Sequence, residues 1–284
     1  MIPRAARGSA ILLDGGMGTA LIDRGLPPAC LPEEWVVEHP GEVSAVHRAH
    51  RRAGAQVLLT CTFNLARLDV AASSLDRSDV ARRAVALARS AGGTTVAGCV
   101  GATGLTRGDG SGPPAAEFED RYGAAFRALA SAGVEILWLE TQLDLGEARA
   151  ALKAARRTGL PLVATATLRP GPDGMEGFDG TPGLTFLEVL WREGAAAVGV
   201  NCVAPDATLA RFLASAANRI PVPLVAKPNA GLPGEPVGPV PFAAGAMAAV
   251  RAGATMVGGC CGAGGAHLRA AGISLGPGRY PARG

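Results

Sequence analysis

The 284-residue sequence predicts an α/β fold, a (β/α)8 TIM barrel built as a single domain over residues 1–284. Three observations lead to this prediction. Short β-rich runs alternate with amphipathic helical segments along the chain, which is typical of parallel strands joined by helical crossovers. The turns from helix to strand are short and end in glycine, whereas the loops from strand to helix are long. A hydrophobic content of 48% supplies a large core, and chains of this length commonly form one barrel.

Eight strands are predicted in chain order, with helical crossovers between them. The segment 144–159 shows how the helices are recognised, because Asp144 can cap its first turn and Gly159 its last. A final helical segment at 263–272 follows the eighth strand. The predicted strands are 10–13, 57–60, 95–98, 136–140, 162–167, 197–201, 224–227 and 256–258.

The asymmetry of the loops favours the barrel over a doubly wound sheet, which the strand count alone also allows. Gly and Pro are concentrated in the loops after the third, fifth and seventh strands, at 101–114, 169–183 and 227–241. A barrel enzyme carries its chemistry in the loops that follow the strands, while its opposite face stays tight. We therefore expect a site at the carboxyl ends of the strands.

Composition argues against several classes of protein. The net charge is only +3 and the basic residues are scattered over the predicted helices, which argues against a nucleic-acid-binding protein. Apolar runs stop well short of the ~20 residues of a membrane span, and the one near the N-terminus is too short for a signal peptide. We therefore expect a cytoplasmic protein, in which the six cysteines are thiols or metal ligands. Cys30 and Cys99 are interpreted as small packed residues.

Three further cysteines stand at the ends of predicted strands. Cys202 follows the sixth strand, and the adjacent Cys260 and Cys261 lie between glycine pairs after the eighth. On a barrel both ends face the same mouth, so three thiolates can meet there and offer Zn²⁺ a soft site with one open position. Neighbouring cysteines rarely bond to each other, and the wide separation from Cys202 matches no zinc finger. The residues alone also allow three unrelated buried thiols.

Six motifs follow one another at the predicted strand ends. They read LLDGGMGTALIDRG (12–25), GAQVLLTCTFN (54–64), GVEILWLETQLD (133–144), VGVNC (198–202), PNAGLP (228–233) and VGGCCG (257–262). In this order they resemble the homocysteine S-methyltransferase family, which includes the homocysteine-binding module of cobalamin-dependent methionine synthase. The resemblance implies a zinc-dependent enzyme that transfers a methyl group to the thiolate of homocysteine, or of its selenium analogue, to give methionine or its counterpart.

The resemblance also implies roles for individual residues. The family's zinc ligands correspond to Cys202, Cys260 and Cys261. Its homocysteine-binding residues correspond to Asp14, Gly15, Glu140 and Asn201. Asp14 and Glu140 can pair with the ammonium group of the amino acid, and the amides of Gly15, Gly16 and Met17 can cradle its carboxylate. The alternative for each carboxylate is a structural role in capping a backbone turn.

Other residues near the motifs depart from the family pattern or have two interpretations. Leu59 replaces a residue that is usually polar in relatives, so the sequence departs from the family's polar network at this position. Cys61 is interpreted as a small residue of the pocket wall, with a resting fourth zinc ligand as the alternative. Asn229 fits a turn as well as a functional role. His47 and His50 are expected on the solvated outer face of a helix.

The methyl donor stays open at this stage. All eight strands belong to the barrel, so a corrinoid would be carried by a separate protein. Betaine is disfavoured because its quaternary ammonium calls for an aromatic cage, and aromatic residues are only 4% of the chain, with Phe63 and Phe178 the main candidates. The remaining donors are methylcobalamin or a corrinoid protein, S-methylmethionine and S-adenosylmethionine. The strand-end motifs lean slightly towards the corrinoid, and the self-contained length towards a sulfonium.

Two other functions are consistent with the sequence. One is a barrel enzyme whose glycine-rich eighth loop binds phosphate. The other is a homocysteine- or zinc-binding subunit that acts only with a corrinoid partner. The zinc content of the protein separates the first alternative from the thiolate site, and a methylation assay on the purified protein separates the second.

Overall fold

The computed structural model describes residues 2–3, 9–68, 74–92, 94–105, 112–172, 174–232 and 235–275. Its central sheet contains eight parallel strands. All eight predicted strands are present, and every end lies within two residues of its predicted position. The strands are β1 (Ile11–Leu12), β2 (Val57–Leu59), β3 (Thr95–Val100), β4 (Ile136–Gln142), β5 (Leu162–Ala166), β6 (Ala197–Asn201), β7 (Leu224–Lys227) and β8 (Ala254–Val257).

The order of the strands confirms the barrel. Each barrel strand from β2 to β7 pairs in parallel with the barrel strand of the next higher number, and β8 also pairs with β1. A parallel bridge between Leu13 and Val57 brings β1 beside β2 and nearly closes the ring. This closure is the TIM-barrel arrangement, so the doubly wound alternative is wrong.

Helices cover the outside of the ring. The Asp144 carboxylate accepts a hydrogen bond from the Glu147 N–H, which confirms the predicted cap of the helix that follows β4. The helices are α1 (Met17–Ile22), α2 (Pro32–Glu38), α3 (Pro40–Arg52), α4 (Arg77–Arg89), α5 (Ala115–Ser131), α6 (Leu145–Arg156), α7 (Gly183–Arg192), α8 (Ala207–Ala217), α9 (Pro239–Arg251) and α10 (Gly265–Ser274). None of the helices in the described ranges is long and apolar enough to cross a membrane.

The long loops after the strands contain two short hairpins that the sequence did not predict. One pairs Arg169–Gly171 with Gly174–Glu176 after β5, and the other pairs Gly231–Leu232 with Glu235–Pro236 after β7. Parts of the three predicted Gly- and Pro-rich loops, at 106–111, 173 and 233–234, lie outside the described residues.

The apolar core has two layers, as expected for a filled barrel. Inside the ring, side chains from the strands form a closed floor in which Trp138 is fully buried and Cys99 is packed as predicted. A larger layer lies between the strands and the helices. Because the floor is apolar, the polar groups at the carboxyl ends of the strands lie directly above a low-dielectric region.

His47 and His50 of α3 are buried, so their expected place on a solvated face is wrong. Their exposed fractions are 0% and 1%, because α3 packs against α1, α2, α4 and α10. Burial lowers the pKa of His47 to about 4 and that of His50 to about 3.

Candidate metal centre and substrate site

The three strand-end cysteines come together at the carboxyl end of the barrel. Cys202 directly follows β6, and Cys260 and Cys261 follow β8. The Cys202 Sγ lies 2.9 Å from the Cys260 Sγ and 3.6 Å from the Cys261 Sγ. All three sulfurs lie within 4.8 Å of one another, and no other His, Cys, Asp or Glu of the described residues joins the cluster.

The end of β7 holds both cysteine loops, because β7 lies between β6 and β8 in the ring. The Lys227 carbonyl accepts a hydrogen bond from the Cys202 N–H at 3.2 Å. The Pro228 carbonyl accepts one from the Cys260 N–H at 2.8 Å. The Asn229 Oδ1 accepts the Cys261 N–H at 3.1 Å, so Asn229 orients a cysteine.

Backbone strain marks the same region. Cys202 and Thr141 are the two non-glycine residues of the described chain with positive φ, at 56° and 60°. Such conformations cost energy and persist where the surroundings enforce them. Asn201 supplies part of this enforcement, because its Oδ1 accepts the Thr141 N–H at 3.0 Å and its Nδ2 donates to the Thr141 Oγ1 at 2.7 Å. The same Nδ2 lies 3.6 Å from the Cys260 Sγ, so Asn201 links the end of β4 to the cysteines.

The donor set fits a soft metal ion. Thiolates bound to zinc at about 2.3 Å in a tetrahedral site lie roughly 3.8 Å apart, so the three sulfurs need to move by about 1 Å at most. Hydrogen bonds from Cys202 and Cys260 lower the pKa of the Cys261 thiol, whereas the pKa values of Cys202 and Cys260 are raised. A bound cation favours the thiolate form of all three. Three protein thiolates leave one tetrahedral position for a further ligand. These three residues could therefore hold a metal ion with an open position.

Asp14 and Glu140 lie beside the cysteines and share a buried partner that sequence reasoning missed. The Lys227 Nζ donates to the Glu140 Oε1 at 2.8 Å and to the Asp14 Oδ1 at 3.2 Å. Burial raises the pKa of Asp14 to about 6, although Lys227 opposes the rise, and burial also raises the pKa of Glu140. Burial alone would lower the pKa of Lys227, but its attraction to Asp14 and Glu140 raises it above the ordinary value. Lys227 is therefore an ammonium cation.

The two glycines after β1 allow its loop to pass close to the β8 loop. A Cβ on Gly15 would lie 2.0 Å from the Ala263 carbonyl oxygen, and one on Gly16 would lie 2.5 Å from the Cys260 carbonyl oxygen. The Gly16 N–H already donates to the Ala263 carbonyl at 3.0 Å. It is therefore not free to bind a substrate carboxylate, and that part of the expected amide cradle is wrong.

A cavity of about 250 Å³ joins these groups. Its lining includes all the predicted site residues except Asn201, which lies behind the wall. The opposite wall includes Glu33, which accepts hydrogen bonds from the Asn64 backbone N–H and side-chain amide at 2.7 and 3.0 Å. Cys61 lies on this wall outside the cysteine cluster and donates its S–H to the Pro32 carbonyl, as expected for a wall residue.

The chain is similar in sequence and structure to known homocysteine methyltransferases. The profile of the homocysteine S-methyltransferase family matches residues 11–272. The homocysteine S-methyltransferase of Escherichia coli is 31% identical over 252 residues, which cover 78% of each chain. The crystal structure of the metallated homocysteine methyltransferase MmuM from Escherichia coli superimposes with a TM-score of 0.81 at 28% identity, over 93% of this chain and 96% of that one.

Two longer relatives match the chain over part of their own length. The S-methylmethionine–homocysteine S-methyltransferase of mouse is 32% identical over 71% of this chain, and the methionine synthase of Mycobacterium tuberculosis is 28% identical over 81%. The chain spans about half the length of the first protein (54%) and about a fifth of the second (21%). The matched profile, the E. coli relative and the shared barrel show that the chain belongs to the homocysteine S-methyltransferase family of enzymes.

Proposed function

We propose that this protein is a zinc-dependent S-methyltransferase that transfers a methyl group to the thiolate of homocysteine and forms methionine. The observation that carries the proposal is the meeting of three cysteine sulfurs with two buried carboxylates on one cavity. The sulfurs suit the metal, and the carboxylates suit the ammonium group of an amino acid. A barrel spanning residues 1–284 is the proposed domain, and the cytoplasm, where thiols stay reduced, is its proposed location.

The proposed zinc ligands are Cys202, Cys260 and Cys261. A free thiol with a pKa near 8.5 is only about 3% thiolate at pH 7, so the acceptor needs activation. Zinc held by the three cysteines would lower the pKa of a substrate thiol at its open position. The chain itself supplies the orientation of the ligands, through the β7 carbonyls, Asn229 and Asn201.

The proposed acceptor site consists of Asp14, Gly15 and Glu140, supported from behind by Asn201. The carboxylates of Asp14 and Glu140 accept hydrogen bonds from the acceptor's ammonium group, and charge makes such bonds strong. Gly15 lines the cavity beside them, and its lack of a side chain allows the β1 loop to approach Ala263. Because Asp14 and Glu140 are 2% and 8% exposed, the contact is shielded from water.

The proposed donor is an activated methyl compound, either a sulfonium (S-methylmethionine or S-adenosylmethionine) or methylcobalamin on a corrinoid protein. Phe63 is the one aromatic residue among the described residues that line the cavity. Phe178 lies under the Arg169 guanidinium at 5.5 Å and does not line it. An aromatic cage for betaine is therefore missing from the described walls.

The test measures zinc content and methionine formation in the purified, reduced protein. We expect about one zinc per chain, and methionine from homocysteine with a sulfonium or with methylcobalamin, each donor being tested separately beside betaine. Replacing Cys202, Cys260 or Cys261 by Ala should remove zinc and activity while the barrel stays folded. Cys30→Ala is the matched control, because Cys30 lies outside the cluster.

Three outcomes would contradict the proposal. The zinc assignment is wrong if the triple cysteine variant keeps both zinc and activity. A protein that binds no zinc but binds phosphate would instead support the phosphate-loop enzyme. Rapid methionine formation from betaine would contradict the donor proposal.

A further inference from the structure

Lys227 is unusual in this chain. Only two of the 27 basic residues are lysines, Lys153 and Lys227, and the rest are arginines. Lys153 is exposed and pairs with Glu119 on the surface. Lys227 lies at the end of β7 with 2% of its side chain exposed, on the wall of the substrate cavity. Burying a lysine ammonium costs free energy unless it is paired with an opposite charge, so its partners are informative about its role.

The Lys227 ammonium is paired with two carboxylates of the protein. Two of its hydrogen bonds go to Asp14 and Glu140, and it lies 5.6 Å from the centre of the Trp138 ring that forms the barrel floor. Both of its hydrogen bonds go to the two carboxylates, which lie between β1, β4 and β7 at the barrel mouth. We therefore expect Lys227 to act on a substrate through these two partners.

Each carboxylate is also fixed by a second strand. The Asp14 Oδ2 accepts the Leu59 N–H of β2 at 2.8 Å, and the Glu140 Oε2 accepts the Cys99 S–H of β3 at 3.5 Å. A carboxylate has about four lone-pair positions, so both groups keep acceptor capacity for a ligand in the cavity. Their separation and direction are set by protein contacts before any ligand enters.

The charges of Lys227, Asp14 and Glu140 together can be balanced by one further cation. Two carboxylates and one ammonium sum to a net charge of −1, which one substrate ammonium neutralises. We propose that Lys227 is a positioning residue that bridges Asp14 and Glu140 across the barrel mouth and matches them to a single ammonium group, so that the site selects a thiol bearing an α-amino group. The inference rests on the proposed function, because it assumes that an amino-acid thiol is the acceptor.

Arginine cannot take this place. A guanidinium has five donors in a flat fork, and the cavity wall offers Lys227 two carboxylate oxygens and an aromatic ring. The ammonium donates to both carboxylates from a single nitrogen, which the flat fork of a guanidinium does not reproduce. This accounts for a lysine here in a chain whose other basic residues are nearly all arginines.

The test is a calorimetric binding measurement on the zinc-loaded protein. Homocysteine is compared with 4-mercaptobutanoate, which has the same chain, thiol and carboxylate but no amino group. Lys227→Met removes the charge and keeps an unbranched side chain, and Lys153→Met is the same substitution at the exposed lysine. Lys227→Gln is measured as well, so that the test survives if Lys227→Met does not fold.

We expect the Lys227 variants to bind homocysteine at least about tenfold more weakly, while their affinity for 4-mercaptobutanoate changes little. Lys153→Met should match the wild type with both compounds. Equal losses for both compounds would show that Lys227 only supports the fold and would overturn the inference, as would no selectivity in the wild type. A selective loss supports it even if the protein forms no methionine, an outcome that contradicts only the proposed function.

Discussion

Burial of His47 makes the free energy of unfolding depend on pH, and the substitution His47→Leu isolates this contribution. Neither ring nitrogen of His47 has a hydrogen-bond partner among the described residues, and the side chain is fully buried. Its pKa is about 4 in the folded protein, against 6.5 for an ordinary histidine. Between these pH values His47 is protonated in the unfolded chain and neutral in the folded protein. The free energy of unfolding therefore falls as the pH falls from 6.5 towards 4.

The size of this effect follows from the two pKa values. The His47 contribution to the free energy of unfolding falls by about 2 kcal/mol between pH 7 and pH 5 and by about 3 kcal/mol at pH 4. Asp14 acts in the opposite direction, because burial raises its pKa from 3.8 to about 6 and acid then favours the folded state. His50, with a pKa of about 3, acts in the same direction as His47, so the pH profile of the wild type alone mixes several effects of both signs.

His47→Leu separates them. The variant loses a buried imidazole without losing a hydrogen bond, so we expect it to be at least as stable as the wild type at pH 8. Its advantage over the wild type should grow by about 2 kcal/mol from pH 7 to pH 5, as measured by urea unfolding at each pH. His39→Leu, at an exposed histidine of the same region, is the control and should show no such growth. A constant difference between His47→Leu and the wild type would refute the reasoning.

Two further predictions concern the site. Asn229→Ala removes the acceptor of the Cys261 N–H and should weaken zinc binding about 10–100-fold in a chelator competition; an unchanged affinity would show that the β7 backbone alone orients the cysteines. Glu140→Gln and Asp14→Asn should each raise the homocysteine KM more than about tenfold. If steady-state kinetics show no change in either variant, the ammonium group is recognised elsewhere.

The fold and the cysteine cluster could be predicted because each depends on local sequence and on topology. A strand such as β6 is an apolar run bounded by turns, and a barrel brings its end beside that of β8 without any knowledge of side-chain contacts. The two cysteine loops follow from this placement. What the topology leaves undetermined is which groups pair once they meet.

The pairing of Lys227 shows this limit. Its partners are 213 and 87 residues away in the sequence, and no periodicity or motif spacing joins positions so far apart. Leu59 illustrates a second limit, because the group that fixes Asp14 is its backbone N–H, which no side-chain pattern reveals. His47 illustrates a third, since helical periodicity marks a face of α3 and does not say how many neighbours cover it. For Lys227, the sequence offered one signal, which is its composition: a lysine stands at a strand end of a chain whose other basic residues are nearly all arginines.

Lys227 also connects the two halves of the proposed site. Its carbonyl accepts the Cys202 N–H, and its ammonium holds Asp14 and Glu140. The position of the metal ligand and the position of the ammonium site therefore depend on the same residue of β7. An acceptor with a thiol at one end and an ammonium group at the other must span the distance from the three cysteines to the two carboxylates. A rigid strand end keeps that distance constant. Proximity of this kind is effective only when the reacting sulfur is held in one geometry, and a barrel strand buried on both sides is well suited to hold it.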